Sequence, residues 1–315
     1  MHQKNDYLPV VAGLTVSFVF GFSFLFTKEG LSVLEPFHLL GLRFALALVI
    51  FLLLRMTGII KINLLDKNPG PLVLLSLVEP VIYFICETMG IKLTSSSETG
   101  MMIAMVPVVT ACFAVFLLKE RPTPPQLGFI FLSVAGVIFI TVMKGSVEFG
   151  GNLAGTLFVL GAVISAGLFN VFSRKLSTRF EPVEITYIMM WIGAIAFNGI
   201  SIYTHIRRGN LLNYFAPLKN IKALAAVIYL GAFSSVVAYF ALNYMLSRME
   251  ASRSAVFTNM ATVISIFAGV VFGNEPFYWF SAVGGLMILA GVWGTNFYAK
   301  KEDGPAVRLV RRLRF

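Results

Sequence analysis

Three charged side chains, Arg43, Glu79 and Glu87, stand inside stretches otherwise apolar enough to cross a bilayer, and their types suit recognition rather than catalysis. An Arg or an acid near the centre of a membrane helix costs about 2.5–3.5 kcal/mol on insertion scales. Left facing lipid, the three would cost on the order of 8–10 kcal/mol together. They are therefore expected to face a hydrated cavity or one another. Ser76, Glu79, Tyr83 and Glu87 follow steps of three, four and four, which predicts one stripe on a helix. Acid, phenol and acid in line suit an ammonium group, through ion pairing and attraction to an aromatic face. Arg43 offers the complementary fork for a carboxylate. Structural readings stand beside these: Arg43 lies about 9 Å beyond Phe37 along a helix, within snorkelling reach of an interface. Glu79 precedes Pro80, so the pair could serve a kink, and Glu87 stands nearer the end of its span.

The second half of the chain contributes neutral groups instead: Ser234, Ser235, Asn170, Asn198, Asn243, Asn259 and Thr262. Hydrogen bonding between helices is the default role of such residues in a membrane. A cavity with charges on one wall and amides on the other would suit a zwitterionic or amine-bearing solute. Phe20, Phe24, Phe169, Trp191 and Tyr239 are the aromatic candidates for its lining. The resulting binding set is Arg43, Glu79, Tyr83, Glu87, Phe20, Asn170, Ser234, Tyr239 and Asn259.

These residues must be positioned by membrane helices. The chain is 57% hydrophobic with 30 Phe, 13% charged, and has a mean hydropathy of +0.83, far from a water-soluble composition. A span needs about 20 apolar residues, and ten candidates follow one another: 8–27, 37–54, 70–93, 97–118, 127–143, 153–172, 183–203, 221–246, 255–274 and 277–298. The first lacks a small-residue cleavage pattern and is expected to stay as a helix. Cys86 and Cys112 fall within spans and read as small buried hydrophobes. With the N-terminus inside, inner segments carry 17 Lys and Arg and outer segments seven, as the positive-inside bias requires. Four of the seven, Arg207, Arg208, Lys219 and Lys222, share one connection. The formal charge of +10 thus sets topology and does not point to nucleic acid. Arg308 to Arg314, with Leu309, Val310 and Leu313 interleaved, reads as a solvated topology determinant or a short segment lying on anionic headgroups.

A shift of 155 residues superposes Met105 on Met260, Val108 on Val263, Val115 on Val270, Glu120 on Glu275, and Ala135-Gly136-Val137 on Ala290-Gly291-Val292. Glu35-Pro36 matches Glu181-Pro182 at a shift of 146. Five is odd, so a five-span unit followed by its copy must be threaded in the opposite sense, the architecture of many secondary transporters. The expected fold is all-α: ten transmembrane helices as two inverted five-helix repeats around a central cavity, over 1–146 and 147–299, with a basic cytoplasmic tail at 300–315. Glu120 and Glu275 are expected to anchor helix ends, and Ser95-x-x-Glu98 has capping-box spacing.

Phe20-Gly21 in the first span, Arg43-Phe44 in the second, hydroxyl residues before the fourth, Leu118-Lys119-Glu120-Arg121 and Ala135-Gly136 in the fifth together resemble the EamA-like branch of the drug/metabolite transporter superfamily. The resemblance spans nearly the whole chain and recurs in both halves. It implies two inverted five-helix repeats around a cavity and transport of small metabolites such as amino acids, often outward. That family often has Trp-Gly where this chain has Phe20-Gly21, and Trp-Ala where it has Ala166-Gly167, implying a larger or differently shaped cavity.

His2, His38 and His205 have no metal-ligand partners at i+3 or i+4, and no phosphate loop or nucleophile motif occurs. The only aspartates are Asp6, Asp66 and Asp303, too few and too scattered for a magnesium-dependent prenyl transfer. No cofactor is implied, and enzymatic activity is not expected. The expected partners are a small-molecule substrate, the lipid bilayer and protons as a coupling ion, in a multi-pass inner-membrane protein with both termini cytoplasmic. The alternatives are a sugar-phosphate or nucleotide-sugar exchanger, which would need more cavity cations than Arg43, and a non-transporting membrane enzyme or sensor.

Overall fold

The computed structural model describes residues 7–64, 67–93, 102–143, 153–272 and 277–298. Every regular element among them is helical. The first half holds α1 (Leu8–Leu31), α2 (Pro36–Met56), α3 (Gly70–Ser76) continuing through irregular turns into α4 (Tyr83–Leu93), α5 (Val106–Phe113), extended by wide turns to Leu118, and α6 (Pro124–Met143). The second holds α7 (Leu153–Leu176), α8 (Pro182–Arg207), α9 (Ile221–Ile228) continuing through Tyr229–Ala238 into α10 (Tyr239–Arg248), α11 (Ala251–Phe272) and α12 (Trp279–Phe297). Prolines open many of these helices, at Pro9, Pro36, Pro71, Pro107 and Pro182. At a first turn the missing N–H costs nothing and φ is already helical.

Nine of the described helical segments are long and apolar enough to cross a membrane, and Val106–Leu118 is a shorter apolar helix. The latter belongs to the expected fourth span, whose opening residues lie outside the described ones. The same holds for Ser95, Glu98, Glu275 and the tail 300–315. The chain is thus a multi-pass, all-α membrane protein of two repeats with opposite threading.

Close helix contacts appear twice, once in each half's register. A Cβ added to Gly136 of α6 would lie 2.7 Å from the carbonyl oxygen of Gly284 on α12, and one added to Gly291 of α12 would lie 2.7 Å from the carbonyl oxygen of Phe129 on α6. Shifting Gly136 and Phe129 by 155 gives Gly291 and Gly284, so the two contacts are copies. A Cβ on Gly21 would meet Ile264 at 2.5 Å, and one on Gly167 would meet Val109 at 2.8 Å. Those positions are related by the shifts 146 and 155. Small residues let backbones approach where lipid supplies no hydrophobic drive.

The third and eighth spans depart from α-geometry at matching positions. In the third, Glu79 has an extended backbone (φ −145, ψ 119) before Pro80, whose ring cannot continue the i→i−4 ladder. In the eighth, residues 229–238 form wide π-type turns, a feature common at functional sites.

Different fastenings hold the two faces. On the face where α2 ends, Lys67 donates to both oxygens of Glu184, at 2.9 and 2.7 Å, and Glu184 is 2% exposed. Glu184 also accepts from the backbone N–H groups of Asn63 and Glu181. Glu120 accepts from the Ala251 backbone N–H and the Ser252 hydroxyl, both at 2.9 Å, anchoring the start of α11. On the face where α2 begins, Arg208 pairs with Glu35 and Lys222 with Glu29. His38, which stands where Glu184 does in the other half, packs its ring against His205 and Tyr214. Tyr214 donates to Asn198 at 2.7 Å, and burial pushes its phenol up from the usual value.

Candidate functional site

Arg43 is 6% exposed. Its Nε donates to Ser235 Oγ at 2.7 Å and its Nη2 to Ser234 Oγ at 3.0 Å, joining α2 to the wide turns of the eighth span. Its guanidinium carbon lies 4.9 Å from the centre of the Phe84 ring and 5.3 Å from that of Phe44, cation–π distances that help a desolvated guanidinium. Among the described residues no carboxylate lies within 4 Å of it, and Nη1 has no hydrogen-bond partner.

At the start of α4, Tyr83 donates to Glu87 Oε1, one turn on, at 2.9 Å. This is the i, i+4 pairing read from the sequence, preserved because α4 is regular there. The other oxygen of Glu87 has no partner among the described residues. Arg43 and Glu87 both line a cavity of about 240 Å³ at the α1–α2 end of the bundle. The remaining wall is largely apolar: Leu39, Leu40, Phe84 and Leu230, with Thr27 and Thr88 as neutral polar groups. A cation and an anion in a greasy chamber can hold the two ends of a zwitterion and shelter an apolar body between them.

Glu79 lies elsewhere. It is 7% exposed, is not part of the cavity wall, and accepts from the Tyr239 hydroxyl at 2.9 Å. Tyr239 is set edge-on to Phe20, centroids 5.7 Å apart, and to Phe169 at 6.4 Å. The break at Glu79-Pro80 therefore divides the expected stripe. Ser76 donates to the Leu72 carbonyl within α3, while Glu87, held by Tyr83, lines the cavity.

The amides of the second half are engaged between helices. Asn170 donates to Thr110 Oγ1 at 3.1 Å and Asn259 to Ser133 Oγ at 3.2 Å. Asn243 accepts from Ser173 and donates to Thr186, and Asn198 donates to the Gly41 carbonyl. Trp191 packs against Tyr187, and the side chain of Phe24 lies outside those described. The structure thus brings Arg43, Ser234, Tyr83 and Glu87 to the cavity and its margin, and groups Glu79, Tyr239 and Phe20 behind it. Asn170 and Asn259 stand apart in separate helix contacts. Thr27 and Thr88 were not singled out in the sequence, where an isolated threonine in an apolar span carries no signal. Among the described residues no group of three or more metal-ligating side chains comes together.

Comparison with known proteins agrees with this architecture. The model of the EamA-like transporter family matches twice, over residues 8–142 and 153–297. The chain is similar to a Bacillus subtilis protein named "Uncharacterized transporter YcxC", with 38% identity over 300 residues, covering 95% of this chain and 96% of the relative. An "Uncharacterized transporter" of Archaeoglobus fulgidus is 26% identical over 284 residues, covering 90% and 96%. A solved structure titled "Crystal structure of protein" superposes with a TM-score of 0.77 at 19% identity, covering 92% of this chain and 99% of its own, and so shares the fold. With the family pattern recurring in both halves, around helices threaded in opposite senses, this chain belongs to the EamA-like transporter family.

Proposed function

We propose that this transporter exports small zwitterionic metabolites, amino acids or amine-bearing compounds with an apolar side chain, by alternating access of its two repeats. The observation that carries the reading is the sharing of one cavity by Arg43 and Glu87. Arg43 offers its free Nη1 donors to a carboxylate, and Glu87 its free oxygen to an ammonium. The volume, below the roughly 300–1,000 Å³ of drug-sized pockets, matches a solute of amino-acid size. Sugar phosphates are disfavoured because Arg43 is the one cation among the described residues of the wall and a dianion calls for several.

The charge bias supports an inner-membrane orientation with both termini cytoplasmic. Two of the four cations that break the bias, Arg208 and Lys222, are tied to Glu35 and Glu29, which offsets their charge. In that orientation the cavity lies toward the outer face, and Lys67–Glu184 fastens the inner one. Purified protein in proteoliposomes should exchange labelled leucine or phenylalanine, and Arg43→Ala and Glu87→Gln should each lower that exchange at least about tenfold, the value of one lost charge-assisted hydrogen bond. Unchanged exchange in both variants would remove the cavity from the reading.

A further inference from the structure

Building on the transport reading, we propose that Glu79 is a proton-binding site separate from the solute cavity and coupled to it through residues 234–239. Glu79 is buried at the level of the helix break, outside the cavity wall. One of its oxygens accepts from Tyr239; the other has no partner, and no cation lies within 4 Å among the described residues. Buried acids inside membrane bundles that lack a fixed counter-ion are the groups that relay protons in pumps and carriers. The charged and titratable groups around it are Tyr239 on α10, Arg43 on α2, and Tyr83 and Glu87 on α4. Tyr83 and Glu87 hydrogen-bond to each other and Arg43 is held by serines, so Tyr239 is the one of them whose hydrogen bond answers to the protonation of Glu79.

The route of coupling is short. Ser234 and Ser235 hold Arg43, and four residues after Ser235 in the same span comes Tyr239, which holds Glu79. A solute carboxylate bound at the free Nη1 draws the guanidinium into the cavity and away from the two serines. Freed serines let the wide turns of Tyr229–Ala238 retighten, and Tyr239, the next residue of the same span, is drawn off Glu79 past the edges of Phe20 and Phe169. The Glu79 carboxyl, protonated while the serines hold Arg43 and its carbonyl oxygen accepts from Tyr239, is then opened to water and gives its proton to the side from which the solute came. When the solute has left on the other side and the serines recapture Arg43, Glu79 takes a proton from that side and carries it back. Atoms and charge balance, since one proton enters and one leaves for each solute.

The test uses the full chain in proteoliposomes with leucine as the probe. At one proton per solute, antiport driven by one pH unit gives about tenfold accumulation on the acidic side, abolished by a protonophore. Glu79→Gln should lose this accumulation yet keep leucine exchange at symmetric pH, and Glu79→Asp should keep part of both. Infrared difference spectra across pH should show a carboxylic C=O band in the wild type that is missing in Glu79→Gln. Wild-type accumulation unaffected by the protonophore, or gradient-driven accumulation surviving in Glu79→Gln, would overturn the proposal while leaving the solute reading intact. Absence of leucine exchange in the wild type would instead sink the solute reading. The infrared band then decides the proton site alone: its persistence in Glu79→Gln refutes it.

Discussion

Ser234, whose hydroxyl lies 3.0 Å from Arg43 Nη2, occupies the place in its repeat that Glu79 occupies in the other. One half thus meets a cation with hydroxyls where the other half holds a carboxylate. This keeps Arg43 from being neutralised by its own protein and leaves it free for a ligand.

Installing the missing charge should therefore close the site. Ser234→Glu is expected to pair with Arg43 and lower leucine affinity by about tenfold to a hundredfold, the value of 1.5–3 kcal/mol in lost charged hydrogen bonds. Graded leucine and the resulting shift of the melting temperature in detergent would measure it. Full affinity in this variant would mean that solute does not reach Arg43.

The glycine contact between α6 and α12 sets a second expectation. Gly284→Ala places a methyl 2.4 Å from Ile140 and 2.7 Å from the Gly136 carbonyl oxygen, an overpacking expected to cost about 1–3 kcal/mol. Gly128→Ala on α6 meets nothing within 4 Å and should be neutral or slightly stabilising. Unfolding of the two variants side by side in detergent checks the difference.

Lys67→Ala leaves Glu184 buried with only backbone donors. Since Lys67 is 28% exposed and Glu184 2%, the expected loss lies at about 1–3 kcal/mol, below that of a fully buried pair. A double-mutant cycle with Glu184→Gln should return a coupling energy of at least about 0.5 kcal/mol. A coupling near zero would show that the pair does not fasten this face.

Asn259→Ala tests whether the interhelical amides also reach solute. With its amide on Ser133, the substitution is expected to cost about 1–2 kcal/mol of stability and leave leucine affinity unchanged. A tenfold weaker affinity would place Asn259 in the pathway.

Span positions, the duplication and the Tyr83–Glu87 pair were legible because each depends on local hydropathy or on helical spacing. The stripe through Glu79 was not, since its spacing holds only while the helix is continuous, and Pro80 ends that continuity. Nor could spacing join Tyr239 to Glu79, 160 residues away, or Arg43 to Ser235, 192 residues away. Those pairings depend on which helix faces which, a property of the assembled bundle. Asn170 and Asn259 looked equivalent to Ser234 in sequence; only packing separates an amide held by a neighbouring hydroxyl from a serine that holds Arg43 at the margin of the chamber.

The twofold recurrence of the Gly136 and Gly291 contacts has an energetic corollary. Were the halves identical, exchanging their shapes would return the same molecule upside down, and the inward- and outward-open forms would be isoenergetic. Their preference must then reside in the places where the copies disagree. His38 opposite Glu184, Arg43 opposite Met189 and Glu79 opposite Ser234 are the ballast that tilts an otherwise even scale.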